Sequence, residues 1–367
     1  VPPRKNAGEF SHERFALPRR LVDIPDFLPW KSLTRLHALL AILATRRSIR
    51  LQPARQNEAF TREFIMKKIV SVSLGSSSRD HEAHVNLLGQ DFEISRVGTD
   101  GKLDVAIKKV EELDGKVDAI GLGGIDVYLY AGKKRFALRD GLRLLGAAKI
   151  TPVVDGSGLK NTLEREAIAF VQTDLGVNLK GKKVLMVSAL DRFGMAQALV
   201  DAGADVLFGD FIFALDLDKP VRGLHEFEEL AEKYLPDACK LPFQFFYPTG
   251  AKQDRPPQPK YPQYYEEAEI IAGDFHFMRQ FMPDHLDGKM VLTNTVTSKD
   301  IDELRTRGVR TLVTTTPDFQ GRSFGTNVIE AALLALLGKK WEDVTPQDYE
   351  RMLHELHLHP RVIDLAA

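Results

Sequence analysis

Residues 183–210 read KVLMVSALDRFGMAQALVDAGADVLFGD, a stretch with the layout of a strand, a tight turn, a helix and a second strand ending in an acid. Laid on the G-x-G-x-x-G pattern of a dinucleotide-binding βαβ unit, the three glycine positions fall on Ala189, Asp191 and Gly194. Gly194 allows close packing of helix on strand, and Asp210, sixteen residues later, stands where an acid binds the ribose hydroxyls of NAD and opposes the 2′-phosphate of NADP. Asp191 departs from the pattern. A carboxylate about 5 Å from a phosphate costs roughly 3 kcal/mol at an effective dielectric of 20, and Arg192 is the residue placed to offset it. Two readings stay open: a nucleotide site, or a Rossmann-shaped core in which Gly194 serves packing and Asp210 caps its strand.

Outward from this unit the pattern keeps alternating. Strands are expected at Lys182–Val187, Asp205–Phe208, up to Ile271, at Met290–Thr293 and at Thr311–Thr315, with a helix over Ser298–Arg307, which together make a doubly wound parallel sheet. Upstream, Ile69–Leu74, Phe92–Val97, Val117–Leu122 and Thr151–Val154 read as strands, Leu103–Leu113 as a helix, and YAGKKRF (130–136) as a hairpin or tongue. A helix over Leu159–Leu175 joins the halves as a hinge or spine, and two helices, Asn327–Leu337 and Pro346–Leu356, close the chain. The fold class is therefore two α/β domains, the second a doubly wound Rossmann-like parallel sheet, with C-terminal helices. The expected division is 66–160 for a substrate domain, 161–338 for a nucleotide domain with a Pro-rich excursion at 242–265, and 339–367 for a helical tail.

The 367 residues carry 50 Lys and Arg against 51 Asp and Glu, so no bulk basic field points to nucleic acid. Residues 1–65 differ from the rest, with twelve Lys and Arg against six Asp and Glu. Their apolar run, Leu36–Thr45, is about half of the ~20 residues a membrane helix needs. Met66 reads as the start of the functional protein and 1–65 as an upstream extension. One cysteine, Cys239, closes no intramolecular disulfide, which favours a cytoplasmic location. No metal-ligand spacing is present, and no membrane partner is expected. The Pro-rich excursion reads as a lid or a subunit contact, the latter implying a homo-oligomer.

In open α/β sheets ligands sit beyond the carboxyl ends of the strands, and several polar clusters occupy such positions. Lys160 and Asp155, in DGSGLKNT, are expected as proton-transfer group and orienter, with Asn161 and Thr162 beside them on the substrate side. His276 is expected as a substrate or proton-relay contact and Asp274 as its neighbour; Asn294 and Thr315 supply short polar side chains for substrate and cofactor. Arg322, in GRSFGTN before a helix, is expected to bind an anion.

The runs KVLMVSALDRFGMAQALVDAGADV, VVDGSGLKNTLERE, IIAGDFHF, TNTVT and LVTTTPDFQGRSFGTNVIEA resemble bacterial proteins described as quinate 5-dehydrogenases, over Met66 to the C-terminus. The resemblance implies kinship with shikimate/quinate dehydrogenases and NAD(P)-linked oxidation of a ring hydroxyl by a Lys and Asp pair. The N-V-T-x-P-x-K stretch of those enzymes is missing, and Asn161-Thr162-Leu163 is the loose counterpart of their N-T-D run. The expectation is thus an NAD(P)-dependent oxidoreductase of a small alicyclic hydroxy acid. The alternative is a Rossmann-shaped protein that binds a nucleotide or metabolite without hydride transfer; a third reading is another enzyme on the same scaffold.

Overall fold

A computed structural model describes residues 66–245, 256–316, 318–319 and 322–366, the side chains of 318, 319, 322 and 323 excepted. The expected basic extension 1–65 and the middle of the Pro-rich excursion lie outside the described residues.

The first lobe is a five-stranded sheet with β1 (Lys67–Ser73) at its centre. Next to it are β3 (Gln90–Gly98) and β4 (Ala119–Gly123), both parallel to β1; β2 (Glu82–Leu87) and β7 (Val153–Val154) form the edges, β2 antiparallel. The IVSVS run of β1 is buried on both faces, as a central parallel strand requires. Leu88 and Gly89, both at positive φ, make the two-residue turn between β2 and β3. Helix α1 (Leu103–Leu113) buries Ala106 and Val110 against one face. The tongue forms as a hairpin of β5 (Tyr128–Ala131) and β6 (Lys134–Ala137), followed by α2 (Arg139–Leu145).

Helix α3 (Ser157–Thr173) belongs to both lobes. Its Leu159 and Leu163 sit in the first core, while Ile168 and Val171 sit in the second. The second sheet has β8 (Lys183–Met186), β9 (Asp205–Phe208), β10 (Ile270–Ala272), β11 (Met290–Thr293) and β12 (Thr311–Thr314), all parallel. Around it lie α4 (Phe193–Asp201), α5 (Asp210–Phe213), α6 (Leu224–Ala238), α7 (Pro262–Glu267), α8 (Phe275–Phe281) and α9 (Ser298–Thr306). Helix α9 is capped one residue earlier than Ser298, by a reciprocal pair of Thr297 and Asp300. The fold is therefore two α/β lobes with mostly parallel sheets.

The chain then returns. After the short pair β13 (Asp318–Phe319) and β14 (Arg322–Ser323), helix α10 (Thr326–Leu337) does not close the second sheet but packs on the first, where Val328, Ile329 and Leu333 join Ile69 and Phe92. Helix α11 (Pro346–Glu355), started by the Thr345–Asp348 capping box, adds Tyr349, Met352 and Leu353 to the same core. Residues 361–364, expected as part of a helical tail, instead form β15 (Arg361–Asp364), antiparallel to β12 at the edge of the second sheet. Apart from Glu330, α10 is apolar on nearly every side beyond its first turn, so it needs cover all round, and the first sheet's open face supplies part of it.

α10 approaches β4 so closely that only glycine fits between them. A Cβ on Gly121 would lie 2.7 Å from the backbone oxygen of Asn327. Gly121→Ala is expected to lower stability by about 1–3 kcal/mol through displacement of α10, read as a fall in the thermal midpoint. An unchanged midpoint would mean that α10 is not seated there.

Candidate functional site

The carboxyl ends of both parallel sheets open on one cleft of about 480 Å³. The loops after β1, β4 and β7 line it from the first lobe, and those after β8, β10 and β11 from the second. The start of α10, with Thr326 and Asn327, forms part of the wall, and Asn327 Nδ2 donates to Ser71 Oγ at 2.9 Å.

The floor is a chain of buried charge. Arg192, 3% exposed, donates from Nη1 to Glu164 Oε1 at 2.7 Å and from Nη2 to Asp274 Oδ2 at 3.0 Å. Asp274 also accepts from Asn294 Nδ2 at 2.8 Å and from the backbone N–H of His276 at 2.9 Å, which caps α8. Burial opposes the charge on Asp274, yet Arg192 and the His276 ring and amide hold its carboxyl at about 2. Burial pushes the imidazole of His276 below its ordinary value, against the pull of the Asp274 carboxylate. Asp191 has its Oδ2 3.6 Å from Arg192 Nε, and burial lifts its carboxyl to about 7 against the pull of Arg192 and Lys160.

Lys160 reaches this cleft, but its partner is Asp126, with which it makes a short buried ion pair. Burial would depress the ammonium; the Asp126 carboxylate outweighs it and holds the group at about 12. Such a lysine keeps its proton and does not accept one near neutral pH. The expected orienter, Asp155, is spent on the backbone: it accepts from the Tyr128 N–H at 3.2 Å and the Ser157 N–H at 2.9 Å, fixing the tongue and the start of α3. The proton-transfer pair is therefore not assembled.

The glycine turn is closed as well. Asp210 opens α5 and turns inward, its carboxylate accepting the N–H groups of Ala189 at 3.0 Å and Leu190 at 3.0 Å. Those are the amides a diphosphate would take, and Ala189 is itself fully buried. Burial raises the Asp210 carboxyl to about 6 in spite of the amides. A Cβ on Gly194 would lie 2.8 Å from Cα and O of Asn161, so this glycine serves the contact of α4 with α3.

Of the expected residues, Lys160, Asp155, Asp191, Arg192, Asp274, His276 and Asn294 do converge on the cleft. Gly194, Asp210, Ala189 and Thr315 lie in the second lobe's interior. Thr162 is buried within α3, and Asn161 is turned to solvent, where it accepts from Arg165 Nε at 3.2 Å. The Arg322 side chain is outside the described residues. Sequence reading passed over Arg96, Asn327 and Glu164. Arg96 donates to Asp80 at 2.7 Å and to Ser73 Oγ at 3.0 Å at the cleft's first-lobe wall. The close-packed glycines at 121–124 were the available signal for Asn327. Cys239 is buried in the contact between tongue and α6, and burial pushes its thiol to about 11. Among the described residues no cluster of three or more His, Cys, Asp or Glu is arranged to hold a metal, and no helix is long and apolar enough to cross a membrane.

Comparison with known proteins corrects the expected kinship and role. Solved structures that match include GanP, a glucose-galactose binding protein from Geobacillus stearothermophilus (9% identity, 82% of this chain and 98% of that chain, TM-score 0.33). Another is AraP, an arabinose binding protein from the same organism (10% identity, 82% and 97%, TM-score 0.38). A third is an ABC transporter periplasmic solute binding protein from Actinobacillus succinogenes with bound D-allose (9% identity, 82% and 98%, TM-score 0.34). None of these three is a dehydrogenase, none is described as catalytic, and one is periplasmic, against the expected NAD(P)-linked quinate/shikimate-type enzyme of the cytoplasm. At such low identity and TM-score they assign this chain neither ligand nor compartment. No curated protein matches the chain. Residues 68–155 match a family described as Domain of unknown function (DUF8753), and a second family matches from the start of α3 to β15. That second match takes in more than half of the sequence, residues 158–365, and the chain accordingly belongs to the family described as Domain of unknown function (DUF8754).

Proposed function

We propose that the two lobes form a non-catalytic binding protein that takes one small, neutral, polyhydroxylated molecule in the cleft. The observation that carries this reading is the compensation of charge on the cleft wall. Lys160, Arg192 and Arg96 each already face a carboxylate, so none of the three is left over for a phosphate or carboxylate ligand. What the wall offers instead is a mixture of donors and acceptors, from Ser71, Asn294 and Asn327 to Asp126 and Asp274. A hydroxyl both donates and accepts, so a ring of hydroxyls matches such a wall where a uniformly anionic or cationic molecule does not. Phe277 and Phe324 give it an apolar side for a carbon skeleton. The volume lies within the roughly 300–1,000 Å³ of small-molecule sites.

The test is a calorimetric and thermal-shift panel of D-glucose, D-galactose, L-arabinose and myo-inositol beside glucose 6-phosphate, quinate and NAD. A neutral member is expected to bind and to raise the thermal midpoint, since a ligand at about 100 times its Kd stabilises by roughly 2.7 kcal/mol. Binding confined to the charged compounds, or none at all, would overturn the reading.

A further inference from the structure

We propose that Thr326 Oγ1, from the first lobe, and the imidazole of His276, from the second, are the contacts that set which hydroxyls of the ligand the cleft recognises, one hydroxyl for each; this rests on the reading of the cleft as a polyol site. Both residues line the cleft, Thr326 at the start of α10 and His276 at the start of α8. Neither Thr326 Oγ1 nor a ring nitrogen of His276 has a hydrogen-bond partner among the described residues. Neither group is sealed, because the partnerless side-chain atoms cut off from solvent among the described residues are others, such as Thr315 Oγ1 and Arg192 Nε. Thr326 is only 7% exposed and His276 is half-buried, and the cleft is the opening that both border.

Other polar side chains of the wall are engaged inside the protein: Asn327 with Ser71, Asn294 with Asp274, and Thr295 with Thr316. A ligand that meets one of those shares or displaces an internal hydrogen bond, whereas at Thr326 and His276 it displaces only water. The fold gives neither group another task. Gly325 is the N-cap of α10, and no side chain makes a capping bond there. Helix α8 is capped by Asp274 through the backbone N–H of His276, and the ring takes no part. A hydroxyl and a neutral imidazole each donate and accept, and burial disfavours the charged form of the His276 ring. Either group therefore pairs with a ligand hydroxyl in either sense. Because the two stand on helices of different lobes, a ligand that satisfies both bridges the cleft.

Thr326→Val and His276→Phe remove the polar atoms and keep the shape; Thr326→Ser and His276→Gln keep a donor and an acceptor. Calorimetry measures the tightest neutral member of the panel above, and each of its monodeoxy derivatives, against wild type and the four variants. Each apolar variant is expected to bind the parent about threefold to tenfold more weakly than wild type does, the loss of one hydrogen bond between neutral groups. Its polar counterpart binds more tightly than it does. In Thr326→Val one deoxy derivative binds as well as the parent, and in His276→Phe a different one does. Since neither group holds an internal hydrogen bond, the thermal midpoints of the apolar variants stay at that of wild type, and a lowered midpoint would assign the group to the fold and overturn the proposal. An unchanged parent affinity in either apolar variant, or a loss that its polar counterpart shares in full, also overturns it while the polyol reading survives. If no neutral member binds wild type, that reading falls and the two contacts with it.

Discussion

Replacement of Arg192 by methionine is expected to destabilise the protein by on the order of 3–5 kcal/mol. The guanidinium is 3% exposed and Glu164 beside it is 1% exposed, so the substitution leaves that carboxylate and Asp274 inside the protein without their counter-charge. Burial already pushes Glu164 upward from its ordinary value, with Arg192 as the largest opposing influence, and removal of the arginine forces protonation or unfolding. Because Glu164 lies on α3 and Asp274 at the cap of α8, the loss loosens the lobe-spanning helix and the cleft floor together. Guanidinium unfolding of Arg192→Met, Glu164→Gln and the double variant separates the terms. The double variant recovers part of the loss, since both members of the pair are then uncharged. A cost below about 1 kcal/mol for Arg192→Met would show that the network does not hold the floor.

The second large effect concerns Glu330, on α10 behind the cleft. It is fully buried; its Oε1 accepts from Tyr349 Oη at 2.6 Å and Trp341 Nε1 at 3.2 Å, and its Oε2 has no partner. Burial, with the nearby Asp155 carboxylate adding to it, lifts the group from 4.5 to about 7. A carboxyl raised in the folded state binds its proton more tightly there than in the unfolded chain. Its stabilising contribution is therefore complete below pH 4.5 and is lost as pH rises through 7. At 1.36 kcal/mol for each pH unit, the loss is about 3 kcal/mol. Glu330→Gln keeps an acceptor for Tyr349 and removes the titration. The stability of the variant relative to wild type is expected to rise by about 3 kcal/mol between pH 4 and pH 8. Urea unfolding at the two pH values checks it, and the comparison cancels Asp191 and Asp210, which titrate in both proteins. A pH-independent difference would mean that Glu330 ionises as an exposed glutamate does.

Most elements of the fold were legible because their signals are local. The apolar run at 183–186, the Asp114-Gly115 break after α1, the tongue's turn and the Thr345-Pro346 helix start each depend on fewer than about ten neighbouring residues, and each is found where expected. The strand at 361–364 was missed because four residues of alternating burial carry too little signal, and its pairing with β12 spans the whole of α10 and α11. The side to which α10 packs was equally hidden. Its apolar surface demands cover but names no sheet.

The cleft was legible in part, since polar residues directly after parallel strands belong to that end of the sheet whatever the packing. Lys160, Asp191, Asp274, His276 and Asn294 follow from this rule alone. Their partners do not. Arg192 meets Glu164 across 28 positions and Asp274 across 82, and Lys160 meets Asp126 across 34. The chemistry turned on such pairings, and above all on Asp210, whose place at the end of β9 suits a ribose equally well as the amides of its own turn. By itself the sequence determined the alternation of strands and helices and the end of the sheets at which a ligand sits, because hydrophobic period, turn residues and caps act over a few residues. Only the tertiary structure decided that Asp210 satisfies the turn from within and that Arg192 is fixed between Glu164 and Asp274. Which carboxylate meets which cation inside a protein is set by distances between elements far apart in the chain, and at low dielectric those distances decide the charge, the hydrogen bonds and the ligand.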